Sequence, residues 1–74
     1  DHEVDLIVES ESGGVLGIEI KLAAAVTDRD VRHLRWLRER LSRDVVDLVI
    51  LTGGPDAYRR SDGIAVVPVA LLGI

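Results

Sequence analysis

Apolar and polar positions alternate, then run together, then alternate again along this chain. Val4 to Glu9 is rich in β-branched and aliphatic residues and predicts a strand. Ser10-Glu11-Ser12-Gly13-Gly14 is a polar, glycine-containing turn cluster. From Val15 to Leu22, Ile18, Ile20 and Leu22 alternate with Gly17, Glu19 and Lys21, the two-residue period of a second strand. Two strands joined by so short a turn form an antiparallel hairpin.

Ala23 to Val26 is a connector. Thr27 then reads as a helix N-cap, with Asp28 and Asp30 placed in the first turn where the helix end favours negative charge. The helix is expected to run to about Leu41, with Val31, Leu34, Leu37 and Leu41 as its apolar stripe and Trp36 well off it. Trp36 is either an exposed interaction anchor or ordinary packing. Val45 to Thr52 is apolar except for Asp47 and predicts a strand buried on both faces, ended by Gly53-Gly54-Pro55. Asp56 to Gly63 reads as a polar loop with a short extension. Ile64 to Pro68 is a last short strand, and Val69 to Ile74 either starts a helix or closes a strand.

This order, strand, strand, helix, strand, strand, gives an α/β domain with a mixed sheet. The hairpin is antiparallel, and the helix crossover makes the second and third strands parallel, with the helix on one face. The other face needs cover. No repeat or linker interrupts residues 1–74, which read as one domain. The sequence contains no Met and opens directly on a strand, so an N-terminally truncated domain is expected, with an element upstream.

The hairpin has a chemical consequence. With Glu9 opposite Val15, Ile7 meets Gly17, Asp5 meets Glu19 and Glu3 faces Lys21. Glu19 and Lys21, two apart, share one face, while Ile18, Ile20 and Leu22 join Leu6 and Val8 on the other. Two carboxylates at that spacing suit Mg²⁺, an oxygen-seeking ion. A neighbouring ammonium suits water activation or a developing negative charge. A solvated salt-bridge network of Glu3, Asp5, Glu19 and Lys21 is the competing reading.

Charge and composition qualify this picture. Hydrophobic residues make up 47% of the chain, which excludes disorder by composition. Cysteine is absent, which removes disulfides and zinc–thiolate chemistry and fits a reducing cytoplasm. No apolar run approaches the roughly 20 residues of a membrane helix. The net charge of −4 lacks the basic excess of a typical nucleic-acid binder. Arginines are nevertheless concentrated: Arg29, Arg32, Arg35 and Arg38 form a row suited to a phosphate backbone, or a solvated face paired with Asp28 and Glu39. Arg59-Arg60 carries the same two readings. Lys21 is the only Lys. His2 is either a ligand or a frayed terminal residue, and Asp47 is expected at a sheet edge or capped by an Arg. Gly53-Gly54-Pro55 lacks the Lys of a phosphate-binding loop.

Val4-Asp5, followed by Ile18-Glu19-Ile20-Lys21 on the next strand, resembles the PD-(D/E)xK nuclease superfamily, with Val4 standing where the signature has Pro. Glu-Val-Asp, the Gly-rich turn, Gly-Ile-Glu-Ile-Lys and Leu-Arg-Trp-Leu-Arg-Glu-Arg-Leu resemble more closely one group. That group is the domain of unknown function at the C-terminal end of bacterial and archaeal AAA-type ATPases. The resemblance implies the C-terminal part of a restriction-endonuclease-like core. It implies Asp5 and Glu19 as Mg²⁺ ligands, the Ile20 carbonyl completing the shell, and Lys21 as catalytic base or charge stabiliser. It implies a Mg²⁺-dependent nuclease acting on DNA or RNA, tethered to an ATPase module. The alternative is a catalytically inactive protein- or nucleic-acid-docking module of that ATPase. The open edge of the first strand also offers pairing with a second copy.

Overall fold

Residues 5–41 and 44–73 are described by a computed structural model. Strands β1 (Leu6–Glu9) and β2 (Val15–Lys21) form the expected antiparallel hairpin. Ser10 holds the turn. Its N–H donates to the Gly14 carbonyl, its carbonyl accepts from Gly13 N–H, and its hydroxyl accepts from Gly14 N–H. The turn sets the register, with Glu9 opposite Val15 and Ile7 opposite Gly17 as the sequence predicts. Val4, Glu3 and His2 lie outside the described residues, and with them the expected Glu3–Lys21 pairing.

Helix α1 (Arg32–Arg40) starts later than Thr27. Residues 28–31 form turns, and Val31 at the N-cap makes no side-chain capping bond. The reason lies in Asp30, which bends back to Thr27. Its Oδ2 accepts from Thr27 N–H at 2.8 Å and from the Thr27 hydroxyl at 3.1 Å. Thr27 therefore donates to the acid below it rather than accepting from the helix end. The apolar stripe is real over Val31, Leu34 and Leu37, all buried, while Leu41 at the C-cap is 36% exposed. Trp36 is half-buried and packs against the core.

Helix α1 lies across β2 and the parallel strand β3 (Val45–Thr52). Gly17 makes room for it. A Cβ at that position would stand 2.8 Å from Leu37 Cδ2 and 3.0 Å from Leu48 Cδ2. The core comprises Val15, Val31, Leu34, Leu37, Leu48, Ile50, Ile64 and Val66. Each such aliphatic side chain contributes about 1.5–3 kcal/mol on burial.

The sheet order is β1-β2-β3-β5-β4. Strand β5 (Ala65–Pro68) runs parallel to β3. The segment read as a polar loop contributes a two-residue edge strand, β4 (Tyr58–Arg59), antiparallel to β5. A 3₁₀ helix, Val69–Leu72, follows β5, resolving the open choice at that end.

Burial of β3 on both faces is corrected. Leu48, Ile50 and Thr52 are buried under the helix, whereas Val49 and Leu51 on the opposite face are half-buried. That face continues through Leu6, Val8 and Ile20, which are 45–52% exposed, and half-buried Leu16, Ile18 and Val67. The apolar composition of β3 reflects two apolar faces, only one of which α1 covers.

Candidate functional site

Along the helix side of β2, Val15 and Gly17 are buried and Glu19 and Lys21 half-buried. The strand thus emerges from beneath α1 at its C-terminal end, carrying these two side chains into a cleft of about 240 Å³. Glu19, Ile20 and Lys21 form one wall, and Arg29, Asp30, Arg32 and His33 the other.

Asp5 reaches this end of the sheet from the residue before β1. Its Oδ2 accepts from Ile20 N–H at 2.7 Å, standing in for the strand carbonyl that would continue the ladder. The register ends with Leu6 opposite Ile18, one residue short of the expected Asp5–Glu19 pair. The charge of Asp5 reaches Glu19 and contributes to raising its pKa. Burial is the largest cause of that rise; Asp5 and Asp30 add to it, while His33 and Arg32 oppose it. Glu19 Oε2 is buried and has no hydrogen-bond partner.

Lys21 turns to a different acid from those foreseen. Its Nζ lies 3.1 Å from Asp30 Oδ1. Asp30 is held below the usual carboxylate range, first by the Thr27 backbone N–H and then by Lys21 and the Thr27 hydroxyl. The site is therefore a Lys21–Asp30 ion pair and the Glu19 carboxylate in one cleft, with Asp5 hydrogen-bonded to the Ile20 backbone beside it. Asp30 and His33 are the participants that sequence reasoning missed. Asp30 looked like a helix-end acid, and no local pattern around His33 marks it as facing β2.

The buried Thr52, opposite Lys21 in the register, anchors this end of the sheet. Its hydroxyl donates to the Ala23 carbonyl at 2.8 Å and accepts from Gly54 N–H at 2.9 Å. Gly53-Gly54 thus has a packing role: a Cβ on Gly53 would stand 2.2 Å from the Leu22 carbonyl oxygen.

The arginine row divides. Arg29 and Arg32 line the cleft, whereas Arg35 acts on Asp62 and Arg38 borders a second depression with Asp47 and Arg59. Asp47 is capped by Arg59 at 2.9 and 3.3 Å, the capping that its sequence suggested, and this contact lowers its pKa. Arg60 pairs with Asp62 at 3.3 Å and with Asp28, so Asp28 serves the loop and not the arginine row.

Among the described residues, no three His, Cys, Asp or Glu side chains converge as a metal-holding group. The set on hand is two carboxylates, one with an unpartnered buried oxygen, beside Ile20, whose N–H and C=O share an edge of the strand. That set fits Mg²⁺, which is bound through one or two carboxylates and keeps several waters. Among the same residues, no helix is long and apolar enough to cross a membrane.

No curated protein and no solved structure matches the chain. A family model described as Domain of unknown function (DUF4143) matches residues 1–72, nearly the whole sequence, and the chain therefore belongs to the DUF4143 family.

Proposed function

We propose that the cleft between β2 and α1 is the site of a metal-dependent phosphodiesterase of the PD-(D/E)xK type, on a restriction-endonuclease-like core. The observation that carries this reading is the buried, unpartnered oxygen of Glu19 beside Asp5, at the mouth of a cleft bordered by Lys21, Arg29, Arg32 and His33. A carboxylate oxygen left without a partner when buried costs about 1–3 kcal/mol, and a cation bound there would relieve that cost.

Asp5 and Glu19 would hold Mg²⁺, with the Ile20 carbonyl as a third donor. When bound, the ion supplies a water of lowered pKa and charge stabilisation on a phosphate oxygen. The residues of the chain do the rest. Arg29 and Arg32 bind and orient the phosphate by charge-assisted hydrogen bonds. Lys21, released from Asp30 by an incoming anion, stabilises negative charge developing on the phosphate. DNA or RNA is the substrate class, and the domain works as an appendage of an AAA-type ATPase in the cytoplasm.

Calorimetric titration with Mg²⁺ or Mn²⁺ tests this. Binding should disappear in Asp5→Ala and survive in Lys21→Ala. Absence of binding to the folded, unmutated chain would refute the site.

A second reading, a non-catalytic docking module of the same ATPase, is favoured by the uncovered apolar face of Leu6, Val8 and Ile20 and by the net charge of −4. Exposed apolar surface of this kind marks interaction sites. Under that reading, metal titration is silent while Ile20→Asp abolishes partner binding.

A further inference from the structure

Helix α1 carries a second row of side chains, distinct from Arg32, Arg35 and Arg38. His33, Trp36 and Arg40 stand at i, i+3 and i+7, the spacing that holds side chains on one flank of a helix. Arg29, in the turn before the helix, extends the row four residues earlier. The row begins in the cleft, which both Arg29 and His33 line. Its direction follows from the opposite flank, where Arg38 borders the depression containing Gly63, next to β5. The flank of His33, Trp36 and Arg40 is therefore turned toward β1, the edge strand.

That flank offers a particular chemistry. Trp36 is the only Trp of the chain, half-buried and packed against the core. The Arg40 guanidinium lies 5.6 Å from the ring centroid, and Arg40 is exposed. On the helix side of β1, Ile7 is 50% exposed, leaving an apolar shelf beside the row. An aromatic ring with flanking arginines beside a shallow apolar surface is the combination that holds unpaired nucleotides. Bases stack on the ring and phosphates meet the cations, whatever the sequence. A duplex keeps its bases within its own stack and has none to offer Trp36.

We infer that the Arg29–His33–Trp36–Arg40 flank of α1 is the track for a single unpaired nucleic-acid strand leading into the cleft, with a base stacked at Trp36 and phosphates at Arg40 and Arg29. The inference rests on the phosphodiesterase reading for the purpose of the track, and binding is measurable apart from cutting. Glu9 on β1, the carboxylates of the cleft and the net charge of −4 weaken the attraction. Affinity is therefore expected in the ordinary non-specific range, about 10⁻⁴–10⁻⁶ M at physiological salt.

The single Trp makes the test direct. The full chain is titrated in EDTA with an oligothymidylate, and Trp36 emission is followed. Saturable quenching is expected, while a duplex of equal length leaves the emission unchanged. Arg40→Ala, an exposed change with folding checked by circular dichroism, should weaken binding several-fold and reduce the log–log salt slope by about 0.7. Emission unmoved up to about 1 mM oligonucleotide, well above the usual non-specific Kd, overturns the track. Equal quenching by the duplex overturns it as well. Quenching in a chain that binds no Mg²⁺ sustains the track and refutes the metal site. Metal binding without quenching refutes the track alone.

Discussion

Replacing Glu19 with Gln removes a charge from the one carboxylate among the described residues whose oxygen is buried without a partner, and keeps the side chain's volume. The Glu19 pKa is raised above its ordinary value of 4.5, chiefly by burial. The folded chain then binds more protons at this site than the unfolded chain, between pH 4.5 and the raised value. Stability falls wherever the folded state holds more protons as pH rises. The contribution of neutral Glu19 is thus fully present below pH 4.5 and lost as pH rises through the folded pKa. An unpartnered buried acceptor costs about 1–3 kcal/mol, and more when charged. His33 and Arg32 offset part of this, and the Gln amide still leaves a polar atom to satisfy. A net gain of about 1 kcal/mol for Glu19→Gln at neutral pH follows. In urea, with a slope of about 1 kcal/mol/M for so small a chain, the midpoint rises by about 1 M. Urea titrations in EDTA from about pH 4 to pH 8 measure it. The two proteins should coincide at the acid end and separate as pH rises. Wild-type stability equal to or above that of Glu19→Gln at neutral pH would refute the reasoning. Added Mg²⁺ should close the gap by stabilising only the protein that binds it.

Further changes test the frame of the site. Thr52→Val keeps the shape but strands the buried Gly54 N–H, and should cost about 1–3 kcal/mol in urea denaturation. Thr52→Ser keeps both hydrogen bonds and should cost less; the reverse order would mean that the methyl, not the hydroxyl, matters. Gly17→Ala pushes a methyl into Leu37 and Leu48 and should cost about 1–3 kcal/mol by overpacking, visible as a lower midpoint with an unchanged slope. Gly53→Ala meets backbone at Leu22 and should destabilise more than Gly17→Ala, because a carbonyl cannot rotate away as a leucine methyl can. Asp30→Asn tests the acid limb. The Asp30 pKa is lowered from 3.8, so its contribution is present above pH 3.8 and lost as pH falls through the folded value. The variant should be less stable near neutrality and lose less on acidification, as circular dichroism against pH will show.

The sequence by itself determined the hairpin and its register. Two-residue alternation and a tight glycine-containing turn are local properties, and a one-residue slip would have moved Ile18 and Ile20 to the helix side. It determined β3 and the parallel crossover. It left Asp47 a choice between a sheet edge and an Arg cap, and the central place of β3 with Arg59 alongside decided for the cap. Tertiary structure decided the remainder. Asp30 and His33 enter the site because α1 crosses β2 where Gly17 admits it, a distance relation between segments with no trace in either alone. Lys21 takes Asp30 as partner because the turn before α1 bends that carboxylate toward the strand end. Helix α1 begins at Arg32, about one turn after Thr27, and Asp30 holds the turn before it. Burial of one face of β3 and not the other was likewise undecidable from composition. Apolar residues say which surfaces seek cover, and only the placement of α1 says which of them receives it.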